Sequence, residues 1–182
     1  DEHVFVVGAG NSAGQAALHF ADYAASVTML VRGGSLAASM SQYLVDRIEA
    51  HERIEVCLRH EVTGCGGAEH LETITVQDRD SGASREIETH YLFVFIGARP
   101  QTDWLGGVVA RDERGFVRTG PDLRPEDLDG WPLERDPFLL ETSAPGVFVA
   151  GDVRHESVKR VASAVGEGSV AVAFVHQHLA SL

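Results

Sequence analysis

The chain has 182 residues, 44% of them apolar, and carries 15 Lys plus Arg against 27 Asp plus Glu for a net charge of −12. That composition is sufficient for a substantial core, and length alone predicts one globular domain. The acidic balance repels a polyanion and argues against nucleic acid as a partner. No apolar run reaches transmembrane length and no signal-peptide pattern is present, so a cytoplasmic protein with no membrane span is expected. The sequence starts at Asp1, almost directly on its first apolar run, and is expected to be part of a longer protein.

The segment Val4 to Ala17, VFVVGAGNSAGQAA, organises the first half. Val4 to Val7 are apolar without alternation, as in a parallel strand covered on both faces. Gly8 then supplies a tight turn, Gly10 allows a pyrophosphate to approach the backbone, and Ala13 takes the third small position of a G-x-G-x-x-G/A fingerprint. Ser12 is expected to be the N-cap. Ala13, Ala16, Ala17, Phe20, Ala21 and Ala24 form one apolar helical face. The free N–H groups at the start of that helix, around Asn11 and Ser12, suit an anion, as does the helix dipole.

Ser26 to Val31 (SVTMLV) is the next strand by its β-branched, apolar content. Its end decides nucleotide preference, because an acidic residue there binds a ribose 2′-hydroxyl and an arginine accommodates a 2′-phosphate. The chain has Arg32, then Gly33 and Gly34, with Ser35, Ser39 and Ser41 as further hydroxyl donors. The alternative for Arg32 is a solvent-facing side chain at a strand end. Ala37 to Ala50 reads as a helix with Met40, Leu44, Val45 and Ile48 inward, and Ile54 to Leu58 as a third strand. Val62 to Thr89 alternates in LETITVQD and SREIET and is expected to be an antiparallel meander serving as scaffold. Tyr91 to Ile96 returns to the parallel sheet, and the turn at Gly97 ends it. Arg111 to Pro137 reads as a surface excursion around a short strand at Phe116 and Val117. Val147 to Ala150 is expected to be a buried strand and Val158 to Leu179 a long helix. Gly166 and Gly168 inside that helix suggest a helix start or a close ligand, since each costs about 1 kcal/mol against alanine. Cys57 and Cys65 lack C-x-x-C spacing and read as reduced thiols. His176 and His178 do not share a helical face and read as solvated rather than as metal ligands.

The ordered set GAGNSA, a basic turn after the second strand, FIGARP, TSAPGVFVAGDV and KRVASAVGEG resembles the thioredoxin reductase family over nearly the whole chain. The resemblance implies an α/β architecture: a Rossmann-like parallel sheet with an antiparallel meander, followed by part of a second, FAD-binding α/β domain. Residues 1–97 would be the NADP(H)-binding domain and 98–182 the incomplete C-terminal segment of the FAD domain. Carried over by position, Gly8, Gly10, Asn11, Ser12, Ala13, Arg32, Ser39 and Gly97 would serve NADPH. Gly151 and Asp152 would meet the ribityl chain of FAD. Lys159, Arg160 and Val161 fall where the family places Arg-Gln-Ala against the flavin ring, and Arg32 stands alone where the family has a longer basic run.

The redox-active C-x-x-C of the family would lie upstream of Asp1. VRGGSLAASMS and RVASAVGEGSVAVAFVHQ look closest to the branch fused to regulatory domains, where that motif is not always kept. The implied activity is hydride transfer from NADPH to FAD and on to a disulfide, with thioredoxin or another redox protein as partner and a homodimer in the full-length protein. No catalytic residue and no metal site is expected within the chain itself. Two other readings stay open: an NADPH reductase of ferredoxin or another acceptor without a disulfide, and a non-catalytic NADP(H)-binding regulatory module.

Overall fold

Apolar strands without alternation need cover on both faces, and the first half of the chain provides it. The computed structural model describes residues 2–181 and divides into two compact units, Asp1–Gly97 and Ala98–Leu182.

In the first unit, chain order runs β1 (His3–Val7), α1 (Asn11–Ala21), β2 (Ser26–Val31), α2 (Gln42–Glu49), β3 (Ile54–Leu58), β4 (His60–Gly66), β5 (Thr73–Asp78), β6 (Ser84–Glu88) and β7 (Leu92–Val94). A parallel sheet has the order β3-β2-β1-β7, with β4-β5-β6 as a separate antiparallel sheet. This is the Rossmann-like arrangement with a meander between its third and fourth parallel strands.

Residue alternation along each strand assigns the two faces. Val4, Val6, Val27, Met29 and Val31 share a core with Ala13, Ala17 and Leu18 of α1 and Leu44, Val45 and Ile48 of α2. Phe5 and Leu30 point the other way, against Ile74 and Val76 of β5. The meander is therefore the second layer of cover, which is why β1 is apolar from Val4 to Val7 and β2 from Met29 to Val31.

Two local expectations change. The N-cap of α1 is Gly10, and Ser12 lies within the first turn. The second helix begins at Gln42 rather than Ala37, because the preceding serines make tertiary bonds that compete with a helix. Ser39 Oγ donates to Ala9 O at 2.8 Å, and Ser41 N donates to Asn11 Oδ1 at 2.8 Å. Residues 36–40 form a turn instead, with Leu36 and Met40 still buried.

The second unit is built mostly from turns, short 3₁₀ segments and one helix, α3 (Val161–Ala180). The expected surface excursion at 111–137 contains fully buried Val117 and Thr119, and Val117 makes single β-bridges to Arg111 and Arg154. Val147 to Ala150 is not a buried strand: it has one bridge, Phe148 to Glu141, and Val147 is 40% exposed. A strand is held by neighbouring strands, and among the described residues this segment has no continuous ladder. Helix α3 packs through Phe174, whose ring stacks on Phe138 with centroids 5.1 Å apart. None of its described residues is fully buried, and Val161, Val165, Val172 and Leu179 are exposed.

Glu141 organises this unit. Completely buried, it accepts from Arg135 Nη1 at 2.6 Å, Arg135 Nη2 at 3.0 Å, Phe138 N at 2.9 Å and Gly146 N at 2.8 Å. His178, expected to be solvated, is part of this cluster, with Nδ1 3.1 Å from Arg135 Nη2. His176 is exposed. Among the described residues, no helix is long and apolar enough to cross a membrane and no side-chain group is arranged to hold a metal ion. Cys57 and Cys65 are both free thiols, and burial followed by the Glu55 carboxylate pushes Cys57 above the usual thiol range.

Candidate functional site

The carboxyl ends of β1, β2 and β7 converge on a cavity of about 740 Å³ within the first unit. Ligands of open parallel sheets bind at this end of the strands. Gly8, Gly10, Arg32, Ser39 and Gly97 all line it, together with Ser35 and Phe95.

Each glycine of the fingerprint has a different physical reason. Gly8 has φ +138°, and a Cβ there would lie 2.5 Å from Phe95 O, so the fold itself requires glycine. Gly10 has φ −86° and ψ 175°, which any residue adopts, and a Cβ would meet nothing within 4 Å. The protein places no demand of its own on residue 10, so the open space is the feature that glycine preserves. Gly14 donates to Gly10 O at 3.1 Å as α1 begins. The N–H groups of the first turn therefore lack intrahelical acceptors and point toward the turn.

The remaining predicted residues support the turn. Ala13 is fully buried beneath Gly8, Asn11 holds Ser41 N, and Ser12 is exposed in the first turn. None of these three lines the cavity. Ser39 does, while its hydroxyl is committed to Ala9 O. Gly14 lies outside the fingerprint, yet a Cβ there would sit 2.8 Å from Met40 Sδ and 3.2 Å from Ile48 Cδ1. The repeated small residue after Ala13 is the available sequence signal.

Arg32 is exposed at the end of β2 and lines the cavity. Beside it stand residues of the meander, a segment expected to be scaffold alone: His60, Glu61 and Val62 of β4, and Arg79 just after β5. His60 Nδ1 lies 2.6 Å from Leu58 O. A carbonyl only accepts, so Nδ1 is the donor here, and Nε2 makes no hydrogen bond among the described residues. Nothing in a β-α-β fingerprint points 47 residues beyond Arg32, and only the layer packing brings Arg79 to this edge.

In the second unit, Gly151, Asp152, Lys159, Arg160 and Val161 line one cavity of about 570 Å³, with Ala164 on the facing turn of α3. Gly151 has φ +80°. Asp152 is exposed and makes no side-chain hydrogen bond among the described residues, so its carboxylate is available as an acceptor. Lys159 also makes contacts within the chain: Nζ donates to Ser157 Oγ at 2.7 Å and Arg154 O at 3.1 Å, and lies 4.3 Å from the Phe116 ring centroid. Neither Gly166 nor Gly168 is crowded, since a Cβ at either meets nothing within 4 Å. The residue between them carries the structure, because Glu167 bonds both Gly151 N and Arg154.

On a neighbouring surface of this unit, His155 Nδ1 lies 2.9 Å from Asp112 Oδ2. Burial raises the Asp112 carboxyl, but hydrogen bonds from His155, Phe116 N and Arg114 N outweigh it and hold the group below the usual carboxylate range.

The model of the family described as pyridine nucleotide-disulphide oxidoreductase matches residues 1–168. Over 183 residues the chain is 30% identical to thioredoxin reductase of Streptomyces clavuligerus, covering 100% of this chain and 51% of that one. Over 179 residues it is 34% identical to a component of the alkyl hydroperoxide reductase of Pseudomonas aeruginosa, covering 98% and 31%. The solved thioredoxin reductase of Lactococcus lactis in its FR conformation superposes with a TM-score of 0.74 at 22% identity, over 100% of this chain and 54% of that one. The chain thus spans only part of the length of these relatives. It belongs to the pyridine nucleotide-disulphide oxidoreductase family and is thioredoxin reductase-like within it.

Proposed function

We propose that this chain is the NADPH-binding portion, with the C-terminal part of the FAD-binding portion, of a thioredoxin reductase-like oxidoreductase that passes hydride from NADPH to FAD and on to a disulfide. The carrying observation is Gly10: its backbone is ordinary, its Cβ direction is open, and it sits between the strand end and the α1 N-terminus. A pyrophosphate fits that cradle, and the first-turn N–H groups supply donors without a buried cation. Arg32 lies where a 2′-phosphate is expected and no carboxylate follows it in the turn. In the second unit Gly151 and Asp152 would hold the ribityl side of FAD, and Val161 and Arg160 would lie toward its ring. The flavin, when bound, supplies the two-electron chemistry. The chain's own residues bind, orient and discriminate. The thioredoxin and alkyl hydroperoxide reductases among its relatives support a redox protein as partner, and the full-length protein would be a homodimer.

Calorimetric titration of the chain with NADPH tests this reading. Binding by the native chain and its loss in Gly10→Val, where branched carbons fill the open space, are expected. Equal affinity in the two proteins removes the nucleotide from this turn.

A further inference from the structure

Resting on the dinucleotide reading above, we propose that Arg79, contributed by the β5–β6 turn, is the second cation of the 2′-phosphate subsite and sets the preference for NADP(H) jointly with Arg32. The basis is a fixed geometry rather than the presence of a surface arginine. Arg79 follows β5 directly, and the turn it enters is closed by hydrogen bonds. Asp78 Oδ1 accepts from Asp80 N at 2.8 Å, and Asp78 O accepts from Gly82 N at 2.8 Å.

The backbone of Arg79 is tied to the end of β2 in two steps. Arg79 N donates to Arg59 O at 2.8 Å, and Arg59 N donates to Gly33 O at 3.0 Å. The guanidinium then reaches the same place directly, with Nη1 3.3 Å from Arg32 O and Nε 3.4 Å from Glu61 Oε1. These contacts engage Nε and Nη1, which lie on different donor edges of the planar group, and leave the Nη2 hydrogens. Nη2 makes no hydrogen bond among the described residues, and Arg79 lines the cavity.

A 2′-phosphate is expected just beyond the second strand, at the residue whose carbonyl Arg79 holds. The guanidinium suits it because its charge is permanent and its donors match phosphate oxygens. Arg59, another arginine near this turn, is not equivalent: it pairs with Asp80 at 3.3 Å and does not line the cavity. Glu61 partly neutralises Arg79 while orienting it, which places the expected effect in a moderate range. The arrangement also accounts for the shortness of the basic stretch after β2, because the second charge arrives from another layer of the fold.

The test is calorimetric titration of the full 182-residue chain with NADP⁺ and NAD⁺ in native, Arg79→Gln and Arg79→Glu proteins. Arg79→Gln is expected to weaken NADP⁺ roughly 5- to 20-fold and leave NAD⁺ within about twofold, with Arg79→Glu weaker still toward NADP⁺ alone. Unchanged NADP⁺ affinity in both variants, with the native chain still preferring NADP⁺, overturns the role of Arg79 and leaves the dinucleotide site standing. Equal losses for both nucleotides also overturn it, since Arg79 would then act through the backbone of the turn. A native chain that binds neither nucleotide overturns the dinucleotide reading, and this role with it.

Discussion

Glu167 reaches back from helix α3 to accept a hydrogen bond from Gly151 N at 2.7 Å, and its other oxygen takes Arg154 Nη2 at 2.7 Å. The turn that presents Asp152 is thereby fixed by a carboxylate 16 residues away in sequence. Both charged side chains are largely buried, at 16% and 17% exposure. Glu167→Ala leaves Gly151 N and Arg154 Nη2 without their acceptor, while Arg154 Nη1 keeps Asp122 at 3.5 Å and His155 O at 3.1 Å, and is expected to cost roughly 2 kcal/mol. Glu167→Gln keeps an oxygen for Gly151 and should cost less. Urea unfolding followed by tryptophan fluorescence measures this, because Trp104 and Trp131 both lie in the second unit. Amide exchange at Gly151 should accelerate in the alanine variant only.

Glu141 is one of three carboxyls in the same unit, with Asp112 and Glu167, that are held below the usual range. Burial raises its carboxyl, but Arg135, Gly146 N and Phe138 N together hold it below the usual range. Glu167 is lowered chiefly by Arg154. A carboxyl with a depressed folded pKa takes up protons more readily in the unfolded chain. Its stabilisation is complete above the unfolded value of about 4.3 and is lost as pH falls through the folded one. Tryptophan-monitored stability should therefore be flat in these two groups above about pH 5 and fall below about pH 4. Glu141→Gln should flatten that fall, and Glu141→Ala should cost about 3 kcal/mol at neutral pH by stranding Arg135. An acid profile unchanged in Glu141→Gln would show that the pair does not govern it.

The first unit is legible from sequence because its signals are local. The β1-turn-α1 unit, β2, β3 and the meander are encoded by short-range periodicity, and the observed β2 and β3 coincide with the expected Ser26–Val31 and Ile54–Leu58. The second helix starts later than its apolar pattern suggests because Ser39 and Ser41 are held by Ala9 and Asn11, contacts that no window of sequence contains. Arg79 escapes a sequence reading for the same reason. In the second unit, apolar content at Val147 to Ala150 suggests a strand, yet a strand exists only through its neighbours. The role of Glu167 lies hidden between two glycines, which draw attention to backbone freedom rather than to the carboxylate they flank.

The two glycines of the nucleotide turn separate stability from binding. At Gly8 a Cβ meets Phe95 O at 2.5 Å, and φ +138° is unfavourable for any side chain. Gly8→Ala is expected to destabilise the first unit by roughly 2–3 kcal/mol. Gly10→Val, with ordinary dihedrals and open space, should cost only about 1 kcal/mol, the penalty of valine at the α1 N-cap, and act mainly on nucleotide binding. Hydrogen exchange across β1 and β2 distinguishes the two, since both tryptophans report on the other unit. Equal destabilisation by both substitutions would make the turn purely structural.

Arg32 offers the sharpest test of nucleotide choice. It ends β2, it is exposed, and it shares the cavity edge with Arg79. A charged hydrogen bond to phosphate contributes about 1.5–3 kcal/mol, so Arg32→Ala should weaken NADPH by roughly 10- to 150-fold and leave NADH almost unchanged. Solvent exposure and the neighbouring glycines favour the lower end, and a second guanidinium 3.3 Å from the Arg32 carbonyl limits the loss further. The double variant of Arg32→Ala with Arg79→Gln should bind NADPH no better than NADH, because no other arginine among the described residues lines this edge. If Arg32→Ala lowered both affinities equally in calorimetric titration, the residue would serve the turn itself, and discrimination would have to rest on Arg79 or on the hydroxyl of Ser35.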